Sequence, residues 1–301
     1  MNNLNAVNKE LGKFEKPDDL NTFVSGLSAF IGNLSKDSKV VLVTSGGTQV
    51  KMELNSVRTI ENFSSGKRGA LSAEEFLHAG YHVVYLHRDG CKYPFIHHLK
   101  DGADFLKNFD KNGSGVNLTD SLFSNVFKPF ENYKNSGKFV SFTFDTVGSY
   151  LHKLHKSCTL LEPLKCRAMI YLCAAVSDFY IPTSTLPTHK IQSGEKELVI
   201  KLTKVSKFLP AVKKFWCPDA IVVAFKLETD EKLLLKKARE SLQKSGHNLT
   251  VANLLHNRYS QVKLVFKNGS VDTLDKTPQV KNIETEIVKN LKLYHAMQSS
   301  C

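Results

Sequence analysis

Short apolar runs alternate along the chain with longer segments in which apolar residues recur every three or four positions. The apolar runs cover 40–44, 82–87, 169–174, 221–225 and 249–255. Continuous runs of this length are typical of strands that are buried on both faces of a parallel sheet. The helical spacing covers 18–34, 65–79, 146–161, 205–215, 230–245 and 280–294. Strands that alternate with helices predict an α/β fold of three layers around a mostly parallel sheet.

Two later segments have the pattern of antiparallel strands. Leu198, Ile200 and Leu202 alternate with polar or charged neighbours, which predicts one strand over 197–204 with a solvent-facing side. The Asn-Gly pair at 268–269 lies between two apolar runs, and this arrangement predicts a hairpin. We interpret both features as additions to the parallel sheet.

The segment at about 99–140 interrupts the alternation. It is rich in Asp, Asn, Lys, Ser and Gly, and its only helical spacing falls around 118–127. We expect a polar, partly mobile insertion with one short helix, within a single domain of residues 1–301.

The charge of the chain favours negatively charged ligands. Its 41 Lys and Arg exceed its 29 Asp and Glu by 12, and the basic residues are spread along the sequence without a run of five. Nucleic acid, an acidic membrane surface and small polyanions remain open at this point. No apolar window is long enough for a spanning helix, and the first residues lack the pattern of a secretory signal.

Cysteine and histidine give no sign of a metal site. The six cysteines include no Cys-x-x-Cys pair, so we expect reduced thiols and an intracellular, cytoplasmic protein. His97 and His98 are adjacent, and adjacent side chains in regular structure tend to point apart. We therefore expect no metal ligands among them.

Three strand ends carry small or polar residues where a ligand could bind, because ligands of open α/β sheets bind beyond the carboxyl ends of the strands. The first is Ser-Gly-Gly-Thr at 45–48, whose backbone N–H groups could hold phosphate oxygens. A tight turn without a ligand explains this motif equally well. The third is Ala-Ala-Val-Ser-Asp at 174–178, where small residues leave room for a ligand, although Asp178 taken alone is better explained as a turn or cap residue.

The second motif, Asn-Phe-Ser-Ser-Gly-Lys-Arg-Gly at 62–69, opens the second predicted helix. Two hydroxyls, two glycines and two cations at a helix N-terminus favour an anion site. An ordinary serine cap would require neither Gly66 nor Gly69. Glycine inside a helix costs about 1 kcal/mol against alanine, and close approach of a phosphate to the backbone would explain Gly69.

These motifs occur in one order together with three further short sequences. The set is Ser45-Gly46-Gly47-Thr48, Arg58 followed by Asn62-Phe63-Ser64-Ser65-Gly66, Ala174-Ala175-Val176-Ser177-Asp178-Phe179, His189-Lys190-Ile191-Gln192-Ser193, Phe225-Lys226-Leu227-Glu228-Thr229-Asp230 and Val251-Ala252-Asn253. The chain resembles the phosphopantothenate–cysteine ligases of the stand-alone eukaryotic type, over about 38–98 and 140–295. The flavin-dependent decarboxylase half of the bacterial relatives is expected to be absent.

The resemblance implies a Rossmann-like enzyme of coenzyme A biosynthesis. Such a ligase joins 4′-phosphopantothenate to L-cysteine through an acyl-adenylate and releases pyrophosphate and AMP. ATP is the expected nucleotide, with CTP as the alternative, and Mg²⁺ is implied because it offsets the charge of pyrophosphate. Neither nucleic acid nor a membrane is an expected partner.

The resemblance also implies the roles of individual residues. The nucleotide contacts of the family fall on Gly46, Ser64, Gly66, Gly69, Phe225 and Asn253. Its phosphopantothenate contacts fall on Asn62, Ala174, Ala175 and Asp178. No residue is implied as a metal ligand.

Two catalytic roles and a homodimer follow from the same resemblance. Asn62 is implied to position the acyl phosphate, and Lys190 to stabilise charge at the α-phosphate, although Gln192 and Ser193 replace lysines found in bacterial relatives. The segment at about 178–204 resembles a dimerisation flap. Arg58 is implied to reach the active site of the neighbouring subunit.

Two other classes of protein remain as alternatives. A nicotinamide-dependent reductase would require Gly-x-Gly-x-x-Gly and a nearby acidic residue, and this spacing is missing. A basic nucleic-acid-binding protein would interleave aromatic and basic residues on one face, and no such pattern occurs. A change in nicotinamide fluorescence would indicate the first, and salt-dependent retention of nucleic acid the second.

Overall fold

The computed structural model describes residues 3–192, 194 and 197–298. Its strands are β1 Val40–Ser45, β2 Gln49–Lys51, β3 Thr59–Glu61, β4 His82–Arg88, β5 Phe109–Asn112, β6 Gly115–Leu118, β7 Phe139–Phe144, β8 Ala168–Leu172, β9 Phe179–Tyr180, β10 Thr203–Lys204, β11 Ile221–Glu228, β12 Leu249–Leu254, β13 Gln261–Phe266 and β14 Val271–Asp275. Its α-helices are α1 Leu4–Leu11, α2 Leu20–Gly32, α3 Lys67–His78, α4 Asp120–Leu122, α5 Lys128–Asn135, α6 Val147–Leu161, α7 Leu209–Ala211, α8 Glu231–Ser245 and α9 Ile283–Gln298. Turns of 3₁₀ helix cover Ile96–His98, Gly102–Asn108, Glu162–Arg167 and Thr183–Thr185, and π-helical turns cover Phe123–Phe127 and Val212–Trp216.

The main sheet has eight strands in the order β14-β13-β12-β11-β8-β1-β4-β7. The six strands from β12 to β7 are parallel, and β13 and β14 join them antiparallel. This confirms the predicted, mostly parallel α/β sheet. The predicted C-terminal hairpin forms, and it extends the main sheet through β12 rather than lying beside it.

The two faces of the sheet bury different sets of side chains. Along β1, Val40 and Leu42 pack into a cluster with residues of α2 and α6. Val41 and Val43 pack on the other face, into a cluster with residues of α3 and α9. All six residues of β1 are buried, as the continuous apolar run predicted. Helices therefore cover both faces and give the predicted three layers.

The segment at 99–140 contains more structure than its polar composition predicts. It forms the β5–β6 hairpin and a helical stretch from α4 through the π-helical turn to α5, which is longer than the short helix predicted around 118–127. Its end enters β7, which pairs with β4 at the edge of the main sheet. We missed β7 because an edge strand is half-buried and lacks a continuous apolar run.

The predicted strand over 197–204 is wrong for most of its length. Only Thr203–Lys204 forms a strand, and it pairs with Phe179–Tyr180. Along 197–202 no described residue supplies a strand partner, so alternation of apolar residues there does not produce a ladder. Ser193, which ends the 189–193 motif, lies outside the described residues.

The helices that the structure describes are too short or too polar to cross a bilayer.

A pair of leucines in α9 tests how much this helix contributes to the core. Leu291 is fully buried against the sheet, whereas Leu293 is 56% exposed on the same helix. Leu291→Ala should lower the free energy of unfolding by about 2–5 kcal/mol, because it removes buried methyl groups and leaves a cavity. Leu293→Ala is the matched control and should change it by less than about 0.5 kcal/mol. Urea denaturation measures both, and equal effects would contradict the described packing.

Candidate active site

The turn after β1 can be built only with glycine. Gly46 has φ +85°, and a Cβ there would lie 2.5 Å from Cβ of Arg88. A Cβ on Gly47 would lie 1.8 Å from the backbone oxygen of Asn62. The two glycines therefore let three chain segments meet at the carboxyl end of β1, because any side chain there would collide with backbone or with Arg88.

Backbone hydrogen bonds join this turn to the segment after β8. The N–H of Ala175 donates to the oxygen of Gly46 at 2.8 Å, and the N–H of Thr48 donates to the oxygen of Ala175 at 3.0 Å. The N–H of Ser177 donates to Oγ1 of Thr48 at 2.9 Å. The first and third predicted motifs thus form one surface, although they are more than 120 residues apart in sequence.

The second motif supplies a helix N-terminus with glycine at the N-cap, beside the same turn. Gly66 occupies the N-cap position of α3 in the left-handed conformation and brings no side chain, and the N–H of Lys67 donates to Oγ of Ser65 at 3.4 Å. A Cβ on Gly66 would lie 2.7 Å from Sγ of Cys91. Ser45 Oγ donates to the oxygen of Gly66 at 3.1 Å, which fixes the loop against β1. The N-terminal N–H groups and the helix dipole favour a bound anion at this point.

Gly69 has a structural reason that the sequence did not reveal. A Cβ at this position would lie 2.4 Å from Cβ of Ser45 and 3.3 Å from Sγ of Cys173. Close packing of α3 on the sheet therefore requires glycine here with or without a phosphate.

The two cations of the motif differ in how they are held. Nη1 of Arg68 lies 2.8 Å from Oε1 of buried Glu284 in α9, and Arg68 Nη2 also donates to the oxygen of Arg258. Burial raises the pKa of Glu284, although Arg68 acts in the opposite direction. Nζ of Lys67 lies 5.1 Å from the ring centroid of Tyr259. Arg68 thus anchors α3 to the C-terminal helix.

Phe225 and Asn253 lie in the neighbouring strands β11 and β12. The ring of Phe225 contacts Tyr171 edge to face at 5.0 Å, and the guanidinium of Arg68 lies 5.9 Å from its centroid. Asn253 is buried and pairs in register with Leu227, two positions beyond Phe225. These predicted nucleotide residues therefore border the face of the sheet that α3 covers.

A second group of predicted residues lies away from the start of α3. Arg58 is in the turn between β2 and β3, and Lys190 and Asp178 are in the segment at about 178–204. Nη2 of Arg58 lies 2.6 Å from Oε1 of buried Glu53 and donates to the oxygen of Ile191 at 2.9 Å. This bond holds the segment that carries Lys190, whose side chain is exposed. Asp178 is exposed and pairs with Lys207.

Asn62 stands between the two groups. Its side-chain Nδ2 donates to the oxygen of Val176 at 3.3 Å, and its backbone oxygen faces Gly47. A cavity of about 610 Å³ opens beside Asn62, Ser64 and Ser65, and residues 88–93, 96–97 and 99–101 form much of its wall. This volume is within the range of small-molecule sites.

Sequence reasoning missed Arg88, which ends β4 at the same edge of the sheet. Its Nη1 lies 2.9 Å from Oε2 of Glu61 and 3.4 Å from the oxygen of Gly47. Hydrogen bonds from Arg88 and Gln49 lower the pKa of Glu61 and keep it ionised at neutral pH. A charged residue at the carboxyl end of a buried strand was the signal that could have identified it.

The expectation that His97 and His98 point apart is wrong. Nε2 of His97 lies 2.8 Å from Oε1 of Glu74, and Nε2 of His98 lies 2.9 Å from Oε2 of the same carboxylate. Phe95 precedes them with φ +62°, and the following 3₁₀ turn directs both rings to one side. The alternation expected of a strand does not apply to this turn.

Comparisons with known proteins identify relatives of this chain. A family model described as the DNA/pantothenate metabolism flavoprotein C-terminal domain matches residues 36–91 and 155–292. Phosphopantothenate–cysteine ligase of Homo sapiens is 37% identical over 298 residues, which cover 95% of this chain and 96% of the human protein. Phosphopantothenate–cysteine ligase CAB2 of Saccharomyces cerevisiae is 39% identical over 286 residues, covering 86% and 77%.

A solved structure of a Cab2 mutant in complex with phosphopantothenate-cysteine superposes with a TM-score of 0.88 at 35% identity, covering 96% of this chain and 97% of that one. Fold and strand-end loops together define an enzyme of the pantothenate-metabolism class that the family model describes. The chain belongs to the phosphopantothenate–cysteine ligase family, and it is a ligase that forms an amide bond.

Replacement of Gly69 separates the packing requirement from helix propensity. Gly69→Ala should lower the free energy of unfolding by roughly 1–3 kcal/mol, because overpacking against Ser45 outweighs the better helix propensity of alanine. Gly32 lies at the exposed end of α2, where an added Cβ would meet no atom within 4 Å, so Gly32→Ala should raise it by about 0.5 kcal/mol. Chemical denaturation that showed Gly69→Ala to be stabilising would contradict the close contact.

Proposed function

We propose that the chain joins 4′-phosphopantothenate to L-cysteine in an ATP-dependent reaction through an acyl-adenylate, as a step of coenzyme A biosynthesis. The relatives named above carry the substrates in their names. The observation that carries the proposal is the N-terminus of α3, which has Gly66 at its N-cap and opens beside the glycine turn after β1. Both proposed substrates with phosphate groups are polyanions, and this pair of backbone sites suits them.

In the first proposed step, a carboxylate oxygen of phosphopantothenate attacks the α-phosphate of ATP and pyrophosphate leaves. The amine of cysteine then attacks the carbonyl carbon of the mixed anhydride, the amide bond forms, the amine loses a proton, and AMP leaves. Mg²⁺ would offset the charge of the departing pyrophosphate. The chain contributes orientation of the anions and stabilisation of the charge that develops at the α-phosphate.

Nucleotide binding is assigned to one group of residues. Gly46 and Gly66 allow phosphate oxygens to approach backbone N–H groups, and Ser64 adds a hydroxyl beside them. Gly69 lets α3 lie close to β1, so its role toward the nucleotide is to place the helix N-terminus. Phe225 would border the base, and Asn253 would supply a buried polar side chain at the adjacent strand.

Phosphopantothenate is assigned to the segments on either side of Asn62. The side chain of Asn62 would position the acyl phosphate, and Ala174 and Ala175 leave space because their side chains are small. Asp178 would contact the pantothenate portion after releasing Lys207. Lys190 would stabilise charge at the α-phosphate, and its exposed side chain is compatible with that role.

A homodimer with shared active sites is part of the proposal. Several apolar side chains near the two-residue ladder β9–β10 and the turn between β2 and β3 are exposed; they are Leu54, Val57, Phe63, Phe179, Leu198, Val199, Ile200 and Leu202. Phe63 is 86% exposed although it directly follows Asn62. A second copy of the flap at about 178–204 would remove these side chains from water.

The described cysteines are free, which supports the proposed cytoplasmic location.

Pyrophosphate release tests the reaction and identifies the nucleotide. Purified protein with Mg²⁺ and phosphopantothenate should release pyrophosphate from ATP in a single turnover, and many turnovers should require L-cysteine to discharge the acyl-adenylate. A parallel reaction with CTP measures base preference. Release that is independent of phosphopantothenate, or none with either nucleotide from folded protein, would contradict the proposal.

Mixed dimers test whether Arg58 acts in the neighbouring subunit. Arg58→Ala and Asn62→Ala should each abolish most turnover, and the second leaves intact the backbone oxygen that faces Gly47. If the site is shared, a dimer of one subunit of each kind contains one site with both native residues, and it should recover about half of wild-type activity.

Co-expression with two different affinity tags isolates this mixed dimer, and each single-variant dimer is its control. If Arg58 acts within its own subunit, every site in the mixed dimer carries one defect and activity stays low. Full turnover by Asn62→Ala alone would remove Asn62 from the catalytic machinery.

A further inference from the structure

Three side chains outside the proposed reaction converge on one point. Glu74 lies in α3, and His97 and His98 lie in the 3₁₀ turn that follows Phe95. Their potential ligand atoms, two imidazole nitrogens and one carboxylate oxygen, all lie within 4.8 Å of one another. Glu74 and His97 are nearly buried, whereas His98 is 24% exposed, so the cluster has one side open to solvent.

We propose that Glu74, His97 and His98 form a binding site for one divalent transition metal ion, of which Zn²⁺ is the representative. Two imidazoles and one carboxylate are a ligand set that zinc accepts, with a fourth position left for water. Mg²⁺ prefers oxygen ligands and retains its waters, so this site differs in chemistry from a magnesium ion that accompanies a nucleotide.

The spacing of the atoms is close to that of a zinc site. Zinc with ligand distances of about 2.0–2.1 Å in tetrahedral geometry holds neighbouring ligand atoms roughly 3.3 Å apart. Nε2 of His97 lies 2.8 Å from Oε1 and Nε2 of His98 lies 2.9 Å from Oε2, so the two rings contact different oxygens, and the three ligand atoms lie within 4.8 Å of one another. A shared zinc ion requires the widest pair to close by up to roughly 1.5 Å. Rotation of the partly exposed His98 ring supplies such a change.

The protonation of the cluster is compatible with metal binding. The carboxylate of Glu74 accepts hydrogen bonds from both rings and from the N–H of Phe95, so both of its oxygens already face donors. Because a carboxylate only accepts hydrogen bonds, each Nε2 carries the shared hydrogen; in the metal-bound state a neutral ring carries its proton on Nδ1 instead.

The backbone already holds the ligands in place. The N–H of Phe95 donates to Oε1 of Glu74 at 2.7 Å and orients the carboxylate, in the manner of the outer hydrogen bonds around known metal ligands. Phe95 itself has φ +62°, a conformation that costs energy for a residue other than glycine. This residue immediately precedes the 3₁₀ turn that carries both histidines.

An ion at this position would connect α3 to one wall of the cavity beside Asn62. Glu74 lies in α3, eight positions after its N-cap residue Gly66, and His97 lines that cavity. Its role would be to fix the 95–98 turn against the helix whose N-terminus forms the proposed anion site.

Zinc titration of three proteins tests the site. Wild type, His98→Gln and the control His256→Gln, which removes an exposed histidine elsewhere, are freed of any histidine tag, stripped with chelator and titrated with Zn²⁺ against a chromophoric chelator. Wild type and His256→Gln should bind one Zn²⁺ per chain. His98→Gln should bind at least about 100-fold more weakly, because loss of an outer partner alone costs about 10- to 100-fold.

The test measures metal binding and does not depend on enzyme activity. A second variant guards against the case in which one variant fails to fold. Glutamine at 98 keeps a donor toward Glu74, and His97→Gln provides an independent removal of a ligand. Visible absorption of bound Co²⁺ should show tetrahedral coordination in wild type and lose it in both variants. Equal zinc affinity in all proteins, or no stoichiometric binding by folded wild type, would overturn the proposal.

Discussion

The candidate active site depends on the close approach of three backbones at the carboxyl end of β1. Gly47 lies against the backbone oxygen of Asn62, and the same turn is bonded to Ala175. This contact is steric before it is chemical, because a single added carbon at Gly47 would overlap the Asn62 oxygen. The contact between Gly47 and Asn62 sets the distance between the sheet and the residues assigned to the anion site, which run from Ser64 to the start of α3.

Electrostatics then distributes the basic residues between binding and anchoring. Arg68 is used to pair with Glu284, a buried carboxylate in the last helix, and stays in place because both partners are shielded from water. Arg88 is paired with Glu61, and Arg58 with Glu53. The excess of 12 positive charges is therefore weaker evidence for a negatively charged ligand than the backbone N–H groups at the start of α3.

Patterns in the sequence predicted those elements whose burial is uniform. The continuous run at β1 and the spacing of α6 gave the sheet and its helical layers, because each is buried in the way that its period implies. Half-buried β7 was missed, and the alternation at 197–202 formed no ladder, because strand formation there depends on a partner that local sequence does not specify. At the site, the glycine motifs located the loops. Contacts between residues that are distant in sequence were visible only in the structure. Examples are the packing of Gly69 against Ser45 and the convergence of His97 and His98 on Glu74.

The position of α9 has a consequence for how the chain is made. It covers the same face of the sheet as α3, and its residues Ile287 and Leu291 complete the cluster that contains Val41 and Val43. During synthesis from the N-terminus, α3 follows these strand residues closely, but α9, which packs on α3 and β14, emerges more than 240 residues after them. The nascent chain therefore carries an incompletely covered apolar layer until α9 leaves the ribosome, and completion of this layer is a late event that makes the partly synthesised chain a natural substrate for chaperones.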